Sequence, residues 1–91
     1  MDLKKTYKIM RELLPENQIK INEPMKNHTS IRIGGPADIM VLPTKTEQIS
    51  NIIQVCRKNN IPFFVMGNGT NLLVRDEGIR GVVIKLAQNF N

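Results

Sequence analysis

Between positions 37 and 66 the apolar residues change their period twice, and few chain folds accommodate such a change. Residues 37–42 form a largely apolar run stopped by Pro43. Ile49, Ile52, Ile53 and Cys56 then recur at i, i+3, i+4 and i+7, and residues 63–66 are again apolar without a break. The outer runs predict strands and the middle one a helix with a single apolar stripe. Thr44 and Glu47 stand three apart just before the periodic segment, the spacing of a capping box, so a helix is expected over 47–58. Arg57, Lys58, Asn59 and Asn60 close it with positive charge and turn-forming side chains ahead of Pro62. Strands that are apolar at every position are covered on both faces, as in parallel sheets. Residues 37–66 therefore predict a right-handed βαβ crossover.

The flanks add one element on each side. Asp2 is placed to cap a first helix whose apolar positions Leu3, Tyr7, Met10 and Leu14 form one stripe, with Pro15 marking its end. The remaining surface of that helix is basic, which fits a packing helix with a solvated lysine face; the stripe is too narrow, and too poor in bulky rings, for a membrane-surface helix. Residues 18–22 alternate as a short strand, and 23–27, with Pro24, read as a connection. Ile31 and Ile33 alternate around Arg32 before Gly34, Gly35 and Pro36 break the chain, and a last strand is expected over 82–86 after a turn at 78–81. The fold class is α/β: a small parallel βαβ core with an N-terminal helix and a following strand. Residues 1–26 supply the helix and connecting strand, and 27–91 the rest.

Size and charge narrow the function. A chain of 91 residues buries only about 60 to 65% of its unfolded surface, so its core is modest. With 41% hydrophobic and 23% charged residues it has the profile of a globular domain, not of a disordered one. No apolar run approaches the roughly 20 residues of a membrane span, and no signal-peptide core follows the charged start, so the expected compartment is the cytoplasm. Cys56 has no partner for a disulfide and no second soft ligand beside it for a metal, and it falls on a core position. The net charge is +5, but the basic residues are scattered and aromatic residues make up only 4%; a nucleic-acid platform needs clustered charge and stacking rings. An anionic small molecule remains compatible with that charge.

Chemistry concentrates in Gly67, Asn68, Gly69, Thr70 and Asn71, directly after the second crossover strand. Ligands of open α/β sheets bind at the carboxyl ends of the strands. Two glycines allow a sharp turn and close approach of a bulky anion, successive amides in such a turn converge on it, and Thr70 and Asn71 add side-chain donors. The third glycine of the common dinucleotide fingerprint is missing, and no Gly-Lys-Ser/Thr follows as in a Walker loop. The residues alone thus leave two readings open, a tight turn and a phosphate loop.

The longer run from His28 through Gly35, the strand up to Pro43, and Met66 through Ile84 resembles the amino-terminal FAD-binding subdomain of the UDP-N-acetylenolpyruvoylglucosamine reductases. The likeness covers about 27–86, with its motifs in order. It implies the vanillyl-alcohol-oxidase type of FAD-binding fold, of which this chain would be the first lobe of two. It further implies that Gly67, Asn68, Gly69, Thr70 and Asn71 hold the FAD pyrophosphate. Thr29, Gly34 and Gly35 would form a demanding entry to the first strand, and Gly78 and Gly81 would shape the turn before the next one. Enzymes of this family reduce a nucleotide-sugar enolpyruvyl ether with NADPH as co-substrate. Their proton-donating serine and the assisting arginine and glutamate match no position here, so no catalytic residue is assigned and the 91 residues are expected to be an inactive, truncated part. A flavin oxidoreductase of this fold with another substrate, or a nucleotide- or phosphate-binding module without redox chemistry, are the alternative functions.

Other polar residues carry less. Ser30 and Ser50 are not assigned as proton donors. His28, the single histidine, is read as an ordinary polar turn residue. Asp76 and Glu77 are adjacent and point apart, so they make a poor acid–base pair; they read as solvated charges or partners for Arg75 and Arg80. Arg32, Arg75 and Arg80 are read as surface pairs, and Met10, Met25, Met40 and Met66 as packing residues. Neither a metal, a nucleic acid nor a membrane is expected as a partner, whereas self-association through uncovered apolar sheet is.

Overall fold

The computed structural model describes residues 2–28, 35–67 and 78–86. Helix α1, Leu3–Leu13, starts as its first residues dictate: Asp2 Oδ1 accepts the Lys5 amide at 3.1 Å. Its inward line is Thr6, Met10 and Leu14, all buried, with Tyr7 and Leu13 packed beside them. Leu3, expected on that line, is 40% exposed, with Thr6 taking the inward place in the first turns.

Helix α2, Thr46–Lys58, buries Ile52 and Cys56 completely and packs Ile53 and Val55 at the margin. The capping box expected from Thr44 and Glu47 is replaced by a neighbouring contact. Gln48 turns back so that its Oε1 accepts the Thr44 amide at 2.8 Å, while Lys45 occupies the N-cap without a side-chain bond. Gln48 is the third helical residue, the place from which a side chain reaches the residues ahead of the helix. The carboxyl end is closed by Asn60 at φ 55°: the Ile61 amide reaches the Cys56 carbonyl at 2.8 Å and the Asn60 amide the Arg57 carbonyl at 3.4 Å. This double bond pattern terminates a helix on a left-handed residue, which asparagine tolerates, and it delivers Ile61 into the core beside Cys56.

Four strands form one sheet in the order β1-β2-β4-β3, with β1 Ile19–Pro24, β2 Pro36–Val41, β3 Phe63–Met66 and β4 Ile79–Lys85. β1 lies antiparallel to β2, from Ile19 opposite Val41 to Pro24 opposite Pro36; β2, β4 and β3 are mutually parallel. The expected strand–helix–strand unit is present, but β2 and β3 are not neighbours, because β4 inserts between them. The connection 23–27 is also more ordered than expected. β1 runs through Pro24, and Met25–Asn27 form a short 3-10 turn that drops Met25 fully into the core.

Both helices cover one face of the sheet, where Met10, Leu14, Ile52 and Cys56 meet Ile39, Val41, Val82 and Ile84. The other face is a smaller cluster of Met25, Ala37, Met40, Met66 and Val83. β2 and β4 are thus the strands covered on both sides. β3, predicted to be so from its apolar run, is an edge strand among the described residues, with Val65 43% exposed. Its composition suits a covered strand, but its place at the sheet margin decides its exposure.

Candidate functional site

The phosphate-binding expectation falls on the residues that follow the carboxyl end of β3, of which Gly67 is described. The Leu86 amide donates to the Met66 carbonyl at 2.9 Å, so β3 and β4 stay paired up to the last residue before half-buried Gly67. Gly67 therefore follows directly at the carboxyl ends of two adjacent parallel strands, the end at which open α/β sheets accept ligands. Asn68, Gly69, Thr70 and Asn71 lie outside the described residues, as do Thr29, Ser30, Arg32, Gly34, Arg75, Asp76 and Glu77. Gly35 is described; its carbonyl accepts the Met25 amide at 3.0 Å at the mouth of β2.

The glycines expected in the turn before β4 have different duties. Gly78, at φ 84°, precedes the strand, and a Cβ there would lie 1.8 Å from the Pro36 carbonyl oxygen. Gly81, at φ 110°, is inside β4, not in a turn. The register between β2 and β4 shifts there, Ala37 facing Ile79 but Ile39 facing Val82, so β4 carries one extra residue. This is a β-bulge that only a residue without a side chain can occupy, since a Cβ would stand 2.3 Å from the Pro62 oxygen. Arg80, in the same bulge, pairs with Asp38 on the neighbouring strand at 2.9 Å; the adjacent acids considered from sequence lie outside the described residues.

His28 is more than an ordinary turn residue. Its Nε2 lies 2.6 Å from Glu23 Oε2 and its Nδ1 2.7 Å from Lys85 Nζ, and its side chain is only 9% exposed. A lysine ammonium can only donate, so Nδ1 accepts from Lys85, and Nε2 carries the hydrogen given to the carboxylate. The three residues come from the end of β1, the turn after it and the end of β4. Sequence reasoning missed the set because Lys85 is 57 residues away. The available signal was a single charge ending the buried run Val82, Val83, Ile84, at a position that alternation assigns to the Val83 face.

Burial pushes the Cys56 thiol above its ordinary range, and the residue packs as a small apolar side chain. Ser50 is exposed on α2, where its Oγ accepts from Gln54 at 3.4 Å. Among the described residues no three His, Cys, Asp or Glu side chains converge as metal ligands, and no helix is long and apolar enough to cross a membrane.

Comparison with known proteins extends this geometry. The FAD binding domain family matches residues 37–91. A UDP-N-acetylenolpyruvoylglucosamine reductase of Alkaliphilus oremlandii is 48% identical over 91 residues, and that of Alkaliphilus metalliredigens 52% identical, each covering 100% of this chain and 30% of the relative. The Syntrophomonas wolfei protein of the same name is 57% identical over 84 residues, 92% of this chain and 28% of its own. The chain thus spans about 30% of the length of the curated relatives it matches.

Proposed function

Because the chain belongs to the FAD binding domain family, we propose that it is the part of a flavin-dependent reductase that grips the FAD pyrophosphate, through Gly67, Asn68, Gly69, Thr70 and Asn71. The complete enzyme reduces UDP-N-acetylglucosamine enolpyruvate to UDP-N-acetylmuramate with NADPH, a cytoplasmic step of peptidoglycan-precursor synthesis. The observation that carries this reading is the place of Gly67, at the carboxyl end of β3 beside parallel β4, in a chain about half identical along its whole length to reductases of that name.

The described residues suit such a ligand. A glycine at the mouth of β3 lets backbone approach a bulky anion, and the Lys85 ammonium belongs to the same end of the sheet. Bound FAD supplies the redox chemistry; this chain binds and orients its diphosphate. The serine, arginine and glutamate that act on substrate in the family have no match here, so the 91 residues alone do not oxidise NADPH with the enolpyruvyl substrate; as the first lobe of two, they bind FAD weakly.

Flavin fluorescence titration with FAD and with riboflavin, which lacks phosphate, tests the assignment. Binding is expected for FAD only, without NADPH consumption. Riboflavin binding as tight as FAD would remove the diphosphate role, and turnover by the pure chain would refute its inactivity.

A further inference from the structure

Lys85 ends β4 and is the register partner of Met66, so it stands across from the residue after which Gly67 leaves the sheet. Partners in parallel strands point to the same face. For Met66 that is the face of Met25, Met40 and Val83, opposite the helices. There the half-buried ammonium meets His28 Nδ1 at 2.7 Å. Among the described residues no carboxylate lies within ion-pair distance of it; the ion pairs there are Arg11–Glu16, His28–Glu23 and Arg80–Asp38.

This is a costly way to place a cation. An ammonium has three donors, and a neutral imidazole nitrogen satisfies one of them without cancelling any charge. Glu23 sits one step further back, polarising the ring through Nε2–H, so the chain of bonds aims the lysine without a direct carboxylate contact among the described residues. A structural staple alone would be served better by a direct Glu–Lys contact. The result is an oriented positive charge at the carboxyl end of a central parallel strand, across from Met66, the residue before Gly67.

We propose that Lys85 is an anion-contacting residue of the ligand site bordered by Gly67, and that His28 and Glu23 are positioning residues that present its ammonium to the diphosphate of the bound dinucleotide. The assignment rests on the reading of that site as a diphosphate site. Free pyrophosphate carries the same recognition chemistry and serves as the probe.

The chain has one histidine, so its ring nitrogens are identified by ¹⁵N NMR without ambiguity. Inorganic pyrophosphate is titrated into the 91-residue chain while the His28 ring and the Gly67 amide are followed together. Both are expected to respond with one Kd, Nδ1 moving as Lys85 shares its hydrogens with the anion. Lys85→Met is expected to weaken pyrophosphate about tenfold, the loss of one charge-assisted contact, and Lys85→Arg by no more than about threefold. A Gly67 response without a ring response, or equal affinity in Lys85→Met, overturns the role of Lys85 and leaves the glycine-turn reading standing. No response at either place overturns both. If Lys85→Met does not fold, the ring response of the unmodified chain decides.

Discussion

The Asp38 carboxylate holds the Gly81 amide at 3.1 Å across the bulge between β2 and β4. Its other oxygen takes Arg80 at 2.9 Å, so one side chain on β2 satisfies both residues that the irregular register of β4 displaces. The Asp38 side chain is 19% exposed whereas Arg80 is 73% exposed, so the two contacts differ in worth.

Asp38→Ala is therefore expected to cost about 1–3 kcal/mol, because it strands a part-buried amide, while Arg80→Ala removes an exposed ion pair and costs less than about 1 kcal/mol. Urea denaturation of the two variants checks the order. Equal losses would mean that the ion pair, not the amide, closes the bulge.

Gly78→Ala and Gly81→Ala are expected to unfold the chain or cost at least about 2 kcal/mol each. Both positions have positive φ, and the added Cβ would meet backbone oxygens of Pro36 and Pro62 that cannot retreat. Circular dichroism melts decide this, and a change smaller than about 0.5 kcal/mol at either position would show that the backbone relaxes freely.

Burial raises the Cys56 thiol above its ordinary value, which fixes the sign of its pH dependence. Below the ordinary thiol value, about 8.5, both folded and unfolded chains keep the proton and nothing changes. As pH rises past it, the unfolded chain loses the proton first and is favoured, so stability falls until the folded thiol titrates too. As pH rises above the ordinary thiol value the native chain should lose stability more steeply than Cys56→Ala, whose overall stability is lower because of the cavity it leaves. Parallel slopes in denaturation series over that range would contradict it.

Val65 is 43% exposed on β3, an edge strand among the described residues, and Ile21 is 47% exposed on β1. An apolar edge with open backbone groups pairs with other chains. The 91-residue chain is expected to self-associate at high concentration and Val65→Lys to shift it towards monomer. Light scattering that reports only monomers of the unmodified chain would dismiss the idea.

Much of this architecture was legible in local patterns. The Asp2 cap, the Ile52 and Cys56 stripe, and the stop at Asn59 and Asn60 are consequences of residues within one or two helical turns of each other, where geometry is set by the chain's own periodicity. The same local reasoning misplaced what depends on neighbours. β3 has the composition of a covered strand, but its exposure follows from β4 taking the place beside β2. Of the phosphate-binding expectation, the described residues hold Gly67 and its strand.

Sequence alone thus determined the strand–helix–strand order and the extent of the two helices, since each follows from short-range sterics and apolar spacing. Tertiary structure decided the strand order, the bulge at Gly81, and the meeting of Glu23 and His28 with Lys85. Those contacts join residues up to 57 positions apart, and no pattern within a single element fixes which partner a strand or a polar side chain will find once the sheet closes.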